Sequence, residues 1–305
     1  MGIIINTNVD SLKVQRNLNV ATTQASKAME RMTTGLKINT AADDAAGLVI
    51  SKGITTQQRG SEVAIKNAQN GINLLQTAEG NLDQIQNHLL AIHDLTLQAM
   101  NGGYSVEEVK AIENEVKARA DEIDRLADGA KFNEFALFEK DTTKRPADFE
   151  LVLQVGSDSD KSTNTISIKD VFKESTMSAL TGKGTNANGV GSQSIAFTTG
   201  TGAAEKVIDR AGAGGFEAIL DKIKDGIKEI STRRGDIGAA AVRLNAAVDN
   251  LNVQNENLQA ANSRIKDADI AKESSEFTNK SILQQAGASL LVQANQAPSI
   301  ALSLI

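Results

Sequence analysis

Residues 216–265 read FEAILDKIKDGIKEISTRRGDIGAAAVRLNAAVDNLNVQNENLQAANSRI, fifty residues without a proline. An apolar or small stripe runs through them at alternating three- and four-residue steps: Phe216, Leu220, Ile223, Ile227, Ile230, Arg234, Ile237, Ala241, Leu244, Val248, Leu251, Asn255, Leu258, Asn262 and Ile265. A seven-residue repeat of this kind belongs to a helix packed lengthwise on another, because 3.5 residues per turn keeps one seam facing its partner. At 1.5 Å rise per residue the helix spans roughly 75 Å. A rod of that length calls for helix–helix packing and points to a fibre or bundle component, away from a pocket enzyme. Asn255 and Asn262 on the seam are suited to fixing register.

Working outward, a second stripe with the same steps precedes it: Ala64, Ala68, Gly71, Leu75, Ala78, Leu82, Ile85, Leu89, Ile92, Thr96 and Ala99. Alanine and glycine in its first half let a partner backbone approach closely, and leucine and isoleucine fill the second half. Asn101-Gly102-Gly103 ends it, and Ser105-Val106-Glu107-Glu108 is a capping box opening a helix with Val109, Ile112, Val116, Ala120, Ile123 and Ala127 on one face. Residues 57–100 and 105–128 therefore read as an antiparallel helix pair. Residues 8–33 form a thinner helix (Val9, Leu12, Leu18, Met29, Met32) stopped at Gly35. NTAADDAAG (39–47) is a break between helical blocks.

The helical period is lost from 132 to 210. FELVLQV (149–155) and TISI (165–168) alternate like two strands of a β-hairpin. From Met177 to Gly202 the chain is rich in Gly, Ser, Thr and Asn, which favours an exposed loop or small appendage. The last forty residues return to a helix carrying Ile282, Leu283, Ala286, Leu290, Leu291 and Ala294 up to Pro298, and finish on IALSLI. An apolar end of that kind needs cover from another chain. The arms 1–40 and 266–305 offer each other only two helices, too little for an independent core, so self-assembly is the simplest remedy.

The expected architecture is mainly α: an elongated bundle of long coiled-coil-like helices, a small β-hairpin region and a short variable insert. Its expected parts are an N-terminal helix (1–42), bundle helices with the hairpin (43–175), a variable surface segment (176–212), a long C-terminal bundle helix (213–265), and a final helix (266–305) pairing with 1–42.

Composition agrees with narrow seams. The 305 residues include no Trp, no Cys and one Tyr, Tyr104. Without cysteine there are no disulfides and no thiolate chemistry. The net charge of −6 and the scarcity of aromatics speak against nucleic acid. No stretch reaches about 18 continuous apolar residues, so no membrane span is expected. MGIIINTNVDSLK (1–13) has no basic start, long apolar run or cleavage site of a secretory signal.

Candidate chemistry fails for want of parts. His88 and His93 fall on different helix faces with no further ligands. Asp43-Asp44 is a weak oxygen cage and a better hinge or helix start. The Gly-rich stretches 181–191 and 211–215 lack the lysine and strand–loop–helix setting of a phosphate loop. No GxSxG elbow is present. Arg233-Arg234 reads as a solvated or intermolecular face. No catalytic, metal or cofactor residue is assigned.

Taken in order, INTNVDSLKVQRNLN (5–19), MTTGLKINTAADDAAGLVIS (32–51), NAQNGINLLQTAEGNLDQIQNHL (67–89), KFNEFALF (131–138), LVLQVG (151–156) and AANSRIKDADIAKESSEFTNKSILQQAGASLLVQANQAP (260–298) resemble bacterial flagellin. The resemblance implies a structural subunit that polymerises through its terminal helices into the flagellar filament, the propeller for motility. It implies secretion by the flagellar type III apparatus and an extracellular location. The alternative within the same organelle is the hook–filament junction protein. Self-assembly is assigned to Leu12, Leu18, Ile282, Leu283, Leu290, Leu291, Leu302 and Leu304. Implied partners are further copies of the chain, an export chaperone, and cap and hook-junction proteins. The resemblance also implies contact with the animal toll-like receptor through positions matched by Ala91, Leu95 and Glu115. Ala91 stands where such flagellins carry an arginine, so weakened recognition is expected.

Overall fold

The computed structural model of the chain describes residues 8–138, 150–169, 171–181, 195–199, 206–208 and 215–302, with side chains as far as 296. Four long helices and one of intermediate length dominate: α1 (Val9–Thr34), α2 (Ala45–Ala99), α3 (Val106–Gly129), α6 (Phe216–Lys266) and α7 (Ile270–Leu302). Two single turns, α4 (Lys161–Asn164) and α5 (Met177–Leu180), lie between α3 and α6. The short strands β1 (Lys131–Phe132), β2 (Phe135–Ala136), β3 (Leu151–Gln154), β4 (Thr165–Ile168), β5 (Thr198–Thr199) and β6 (Lys206–Val207) pair in sequence order into three antiparallel ribbons. The first and last ribbons went unread in the sequence because two residues are too few to show a period.

Helix ends follow local chemistry. The Asn8 carboxamide oxygen accepts the Ser11 N–H at 3.0 Å to start α1, and Gly35 closes it at φ 70°. Asp44 accepts the Gly47 N–H at 2.9 Å at the head of α2. The expected capping box opens α3: the Ser105 hydroxyl accepts from Glu108 N–H at 3.3 Å, and the Glu108 carboxylate accepts from Ser105 N–H at 2.7 Å. Those bonds hold the Glu108 carboxyl below its ordinary value, the Ser105 N–H contributing most.

The chain forms two compact units, one made of residues up to Arg59 with Gln254 onward, the other Gly60–Val253. In the second unit all eleven positions of the α2 stripe, Ala64 through Ala99, are buried. Leu75, Leu82, Ile85, Leu89 and Ile92 join Val116 and Ile123 of α3 and Ile223, Ile230 and Leu244 of α6 in one continuous core. The ribbon β3–β4 closes on it in the register Leu151↔Ile168 to Gln154↔Thr165, with Ile166 and Ile168 turned inward. Gly71 leaves space that Leu153 fills, and Gly60 leaves space against Ser157, so two glycines of α2 seat the hairpin.

Two expectations are corrected here. Arg233 is not on a solvated face: it is 5% exposed, while Arg234 beside it is half-buried. The buried line on α6 runs Gly226, Ile230, Arg233, Ile237, Ala240, Leu244, one residue earlier at Gly226, Arg233 and Ala240 than the stripe drawn from the sequence. Both lines obey the same three–four rhythm, so period alone did not choose between them. Arg233 donates to the carbonyls of Lys173 (3.1 Å) and Glu174 (3.3 Å), the Ser175 hydroxyl (2.9 Å) and the Glu229 carboxylate (3.0 Å). Arg234 reaches Asp83 at 2.9 Å and Gln86 at 2.6 Å on α2. The second concerns the segment from Met177, whose composition favours an exposed loop or small appendage. Of its described residues Met177, Leu180, Ile195 and Phe197 are buried, while Ala196 is exposed. Phe197 packs at a 44° tilt against Phe216 with ring centroids 5.0 Å apart. Its N–H donates to the buried Glu113 carboxylate at 2.9 Å, which also takes a charge-assisted bond from Lys117 at 2.5 Å. Residues 182–194, 200–205 and 209–214 of the expected surface segment and its end lie outside the described residues.

In the first unit, the turn between α1 and α2 is held by Asp43. Its carboxylate accepts from Thr40 N–H (2.9 Å), Thr40 hydroxyl (2.9 Å) and Asn39 N–H (3.3 Å), and faces Lys27 at 3.6 Å. Ser51 on α2 donates its hydroxyl to the Asn262 side-chain oxygen at 2.7 Å, which satisfies one of the polar seam positions.

Arg233→Lys keeps the charge but loses the planar fork, and should destabilise the protein by about 1–3 kcal/mol in urea unfolding. An unchanged midpoint would refute the role given to the guanidinium. The Thr40 N–H first, then its hydroxyl, depress the Asp43 carboxyl below its ordinary 3.8. The stabilisation is therefore complete above that value and disappears as pH falls through the lower folded value. Asp43→Asn should lower the melting temperature at neutral pH and converge on the parent protein in strong acid.

Candidate self-assembly interface

The terminal helices α1 and α7 pack along one another within the first unit. Ala21, Ala25 and Ala28 of α1 are buried at steps of four and three, and Gly287 of α7 receives Leu18, whose Cδ1 lies 3.3 Å from where a Cβ would stand. Small residues bring the backbones close, so the pair buries a narrow strip only. A short bridge ties the opposite ends of these helices: Lys37 N–H donates to Lys266 O at 2.7 Å and Ala268 N–H to Gly35 O at 2.9 Å. Arg31 meets the buried Glu273 at 3.5 Å.

Asn8 carries a second duty that the sequence did not reveal. The helix α7 does not stop before Pro298 but continues through it to Leu302. Proline has no N–H, so the carbonyl four residues earlier, Ala294, lacks its helical donor. The Asn8 side-chain N–H₂ supplies one, at 2.8 Å, while its oxygen caps α1. The Ser11 hydroxyl donates to Asn295 at 2.7 Å beside it. The signal was present as an Asn cap and a Pro near opposite ends of the chain, but nothing in one dimension joins residues 286 apart.

What the pair leaves uncovered is apolar. Leu12 is 57% exposed and Ile282 59%, with Leu283 and Leu290 about half exposed. Leu18 and Leu291 are half-buried. Leu302 lies in the final turn of α7, its side chain not described, and Leu304 is outside the described residues. A groove between the helices is lined by Val14, Leu18, Ala21, Leu283, Gly287 and Leu290. Val9, Val20, Met29 and Val292 add further exposed apolar surface. A two-helix pair can shield one stripe on each member, and these residues occupy the remainder.

The other assigned positions sit on the second unit. Ala91 and Leu95 are half-buried one turn apart on α2, and Glu115 is exposed on α3, where it accepts two bonds from Arg119 at 2.8 and 3.3 Å. His88 and His93 share no set of metal ligands: among the described residues no three His, Cys, Asp or Glu converge. No described helix is long and apolar enough to cross a membrane.

Comparison with known proteins gives this arrangement its relatives. The family model for the bacterial flagellin N-terminal helical region matches residues 5–143, and that for the C-terminal helical region matches 220–305. The chain is 37% identical over 307 residues to flagellin of Bacillus subtilis, covering 99% of each. It is 36% identical over 303 residues to flagellin of Halalkalibacterium halodurans, covering 99% of this chain and 100% of that one. It is 34% identical over 307 residues to the flagellar filament 33 kDa core protein of Treponema phagedenis, again over 99% and 100%. With both terminal helical regions matched and its length covered end to end, the chain belongs to the bacterial flagellin family.

Proposed function

We infer that this chain is a structural subunit of the bacterial flagellar filament and polymerises with copies of itself through α1 and α7. Membership of the flagellin family supports the filament role. The observation that carries the mechanism is the apolar surface left on the terminal pair, with Leu12, Ile282, Leu283 and Leu290 about half exposed or more. Burying such side chains against a neighbour gains roughly 1.5–3 kcal/mol each when complete. Repeated around a helical array, that gain offsets part of the entropy of ordering one more subunit. The family models matched are those of flagellin, which favours the filament subunit over the junction protein.

The role is structural and requires no catalysis or cofactor. Delivery proceeds through the flagellar export apparatus to the cell exterior, with an export chaperone, the cap and the hook-junction proteins as partners on the way. The N-terminal arm suits that route: residues 1–40 carry five Lys or Arg against two acids, and α1 shares only a narrow alanine strip with α7, so its ordering gains from a neighbour that covers it.

Leu12→Asp combined with Leu283→Asp changes only exposed positions. The monomer should melt close to the parent temperature, and seeded growth followed by light scattering and electron microscopy should be abolished. Filaments of normal length from the double variant would overturn the assignment of these helices.

Recognition by the toll-like receptor is weakened because Ala91 offers no guanidinium for charge-assisted hydrogen bonds. In a cell reporter assay Ala91→Arg should raise potency about tenfold or more, the worth of one such bond. Equal potency of the two proteins would count against this reading.

A further inference from the structure

We propose that Asn101 is a site of spontaneous deamidation, selected by the fold over the chemically identical step at Asn70, and that its product loosens the turn joining α2 to α3. The sequence contains three Asn-Gly steps: Asn70-Gly71, Asn101-Gly102 and Asn188-Gly189, the last outside the described residues. The reaction begins when the backbone nitrogen following an asparagine, having given its proton to water, attacks the side-chain Cγ. The bond from Cγ to the amide nitrogen breaks, ammonia leaves, and a five-membered succinimide remains. Water then opens either carbonyl, giving aspartate or, by the main-chain carbonyl, isoaspartate. Glycine accelerates the attack because no Cβ shields its nitrogen.

The two described steps differ only in backbone setting. Asn70 lies in the middle of α2, where the Gly71 amide is part of the i→i−4 ladder and the asparagine backbone is locked in helical geometry. Gly71 is also covered by Leu153. Attack there must wait for a sub-global opening of the helix interior, which has a free-energy cost that the exposed turn does not carry. Asn101 follows the last turn of α2 in an exposed turn. Among the described residues, Gly102 N–H donates to no backbone carbonyl, whereas the neighbouring amides of Met100, Asn101 and Tyr104 bond to Thr96, Gln98 and Asn101 carbonyls. The Asn101 side-chain oxygen lies 3.8 Å from where a Gly103 Cβ would stand, so the carboxamide is folded over its C-terminal flank, the side on which Gly102 N sits. Apart from its chain neighbours, nothing lies within 4 Å of a Cβ built on Gly102, so the glycine is uncrowded.

The product alters the turn in two ways. A carboxylate at 101 sits beside the carbonyl end of α2, whose last turn has no basic residue to offset it. The isoaspartate form adds a methylene to the main chain next to the Tyr104 N–H···Asn101 O bond of 3.4 Å. Both changes favour fraying of the last turn of α2.

The test incubates the purified full-length protein in mildly alkaline buffer, native or in denaturing urea, and follows each site by peptide mass spectrometry. Isoaspartate is identified by labelling with protein isoaspartyl methyltransferase. In the native protein Asn101 should convert on the order of 100-fold faster than Asn70, the gap expected when one site needs sub-global opening; in urea the two should convert at similar rates. Gly102→Ala has room for its methyl group and should slow conversion at 101 with an unchanged circular dichroism spectrum and melt. The aged protein should show faster amide exchange at the end of α2. Similar native rates at 101 and 70, an Asn101 that converts in urea but not when folded, or a Gly102→Ala variant as fast as the parent would each overturn the proposal.

Discussion

The interlocking of leucine and isoleucine side chains from α2, α3 and α6 is the interaction on which the Gly60–Val253 unit depends. Leu82, Ile85, Leu89 and Ile92 are shut off from water, as are Val116, Ile123, Ile223 and Ile230 facing the same core. Each such side chain contributes roughly 1.5–3 kcal/mol when fully buried, and none brings a polar atom that needs a partner. With no tryptophan and few other rings in the chain, there is no large aromatic slab to hold the helices apart. The seams therefore stay narrow, and alanine or glycine at Ala64, Ala68 and Gly71 brings the backbone of α2 close to its neighbours. The β3–β4 hairpin uses that closeness, seating Leu153 over Gly71.

Apolar seams repeat every seven residues and so tolerate a slip of one repeat. Polar groups buried at single places remove that freedom. Arg233 can satisfy its guanidinium only where the Lys173 and Glu174 carbonyls and the Ser175 hydroxyl converge, and Glu113 has its matching donors at Phe197 and Lys117. A shifted register would strand a charge in the core, a cost of several kcal/mol. In the other unit Ser51 and Asn262 make the same kind of single, directional contact. Polar groups thus choose among packings that hydrophobic burial leaves nearly equal.

The terminal helices obey a different economy. Their mutual face is built largely of alanine and glycine, with Leu18 seated on Gly287, and several larger side chains, Leu12 and Ile282 among them, stay exposed. Asn8 and Pro298 tie the ends together through one carbonyl and one carboxamide, so the pair has a defined register without a self-sufficient core. Such a pair leaves apolar side chains in water that a neighbouring surface could cover.

Much of this was determined by sequence alone. The α2 stripe, the capping box at Ser105, the glycine stop at Gly35 and the pairing of strands read at 149–155 and 165–168 all follow from period and local hydrogen-bond chemistry, which act over a few residues and leave a mark in one dimension. The tertiary structure decided which of two adjacent lines on α6 is buried, that Arg233 is enclosed and not solvated, that Met177 and Phe197 are packed, and that Asn8 completes the helix through Pro298. Those outcomes depend on donors and acceptors tens to hundreds of residues away. A three–four rhythm gives Arg233 and Arg234 equal claim to the seam; only the carbonyls brought against one of them break the tie.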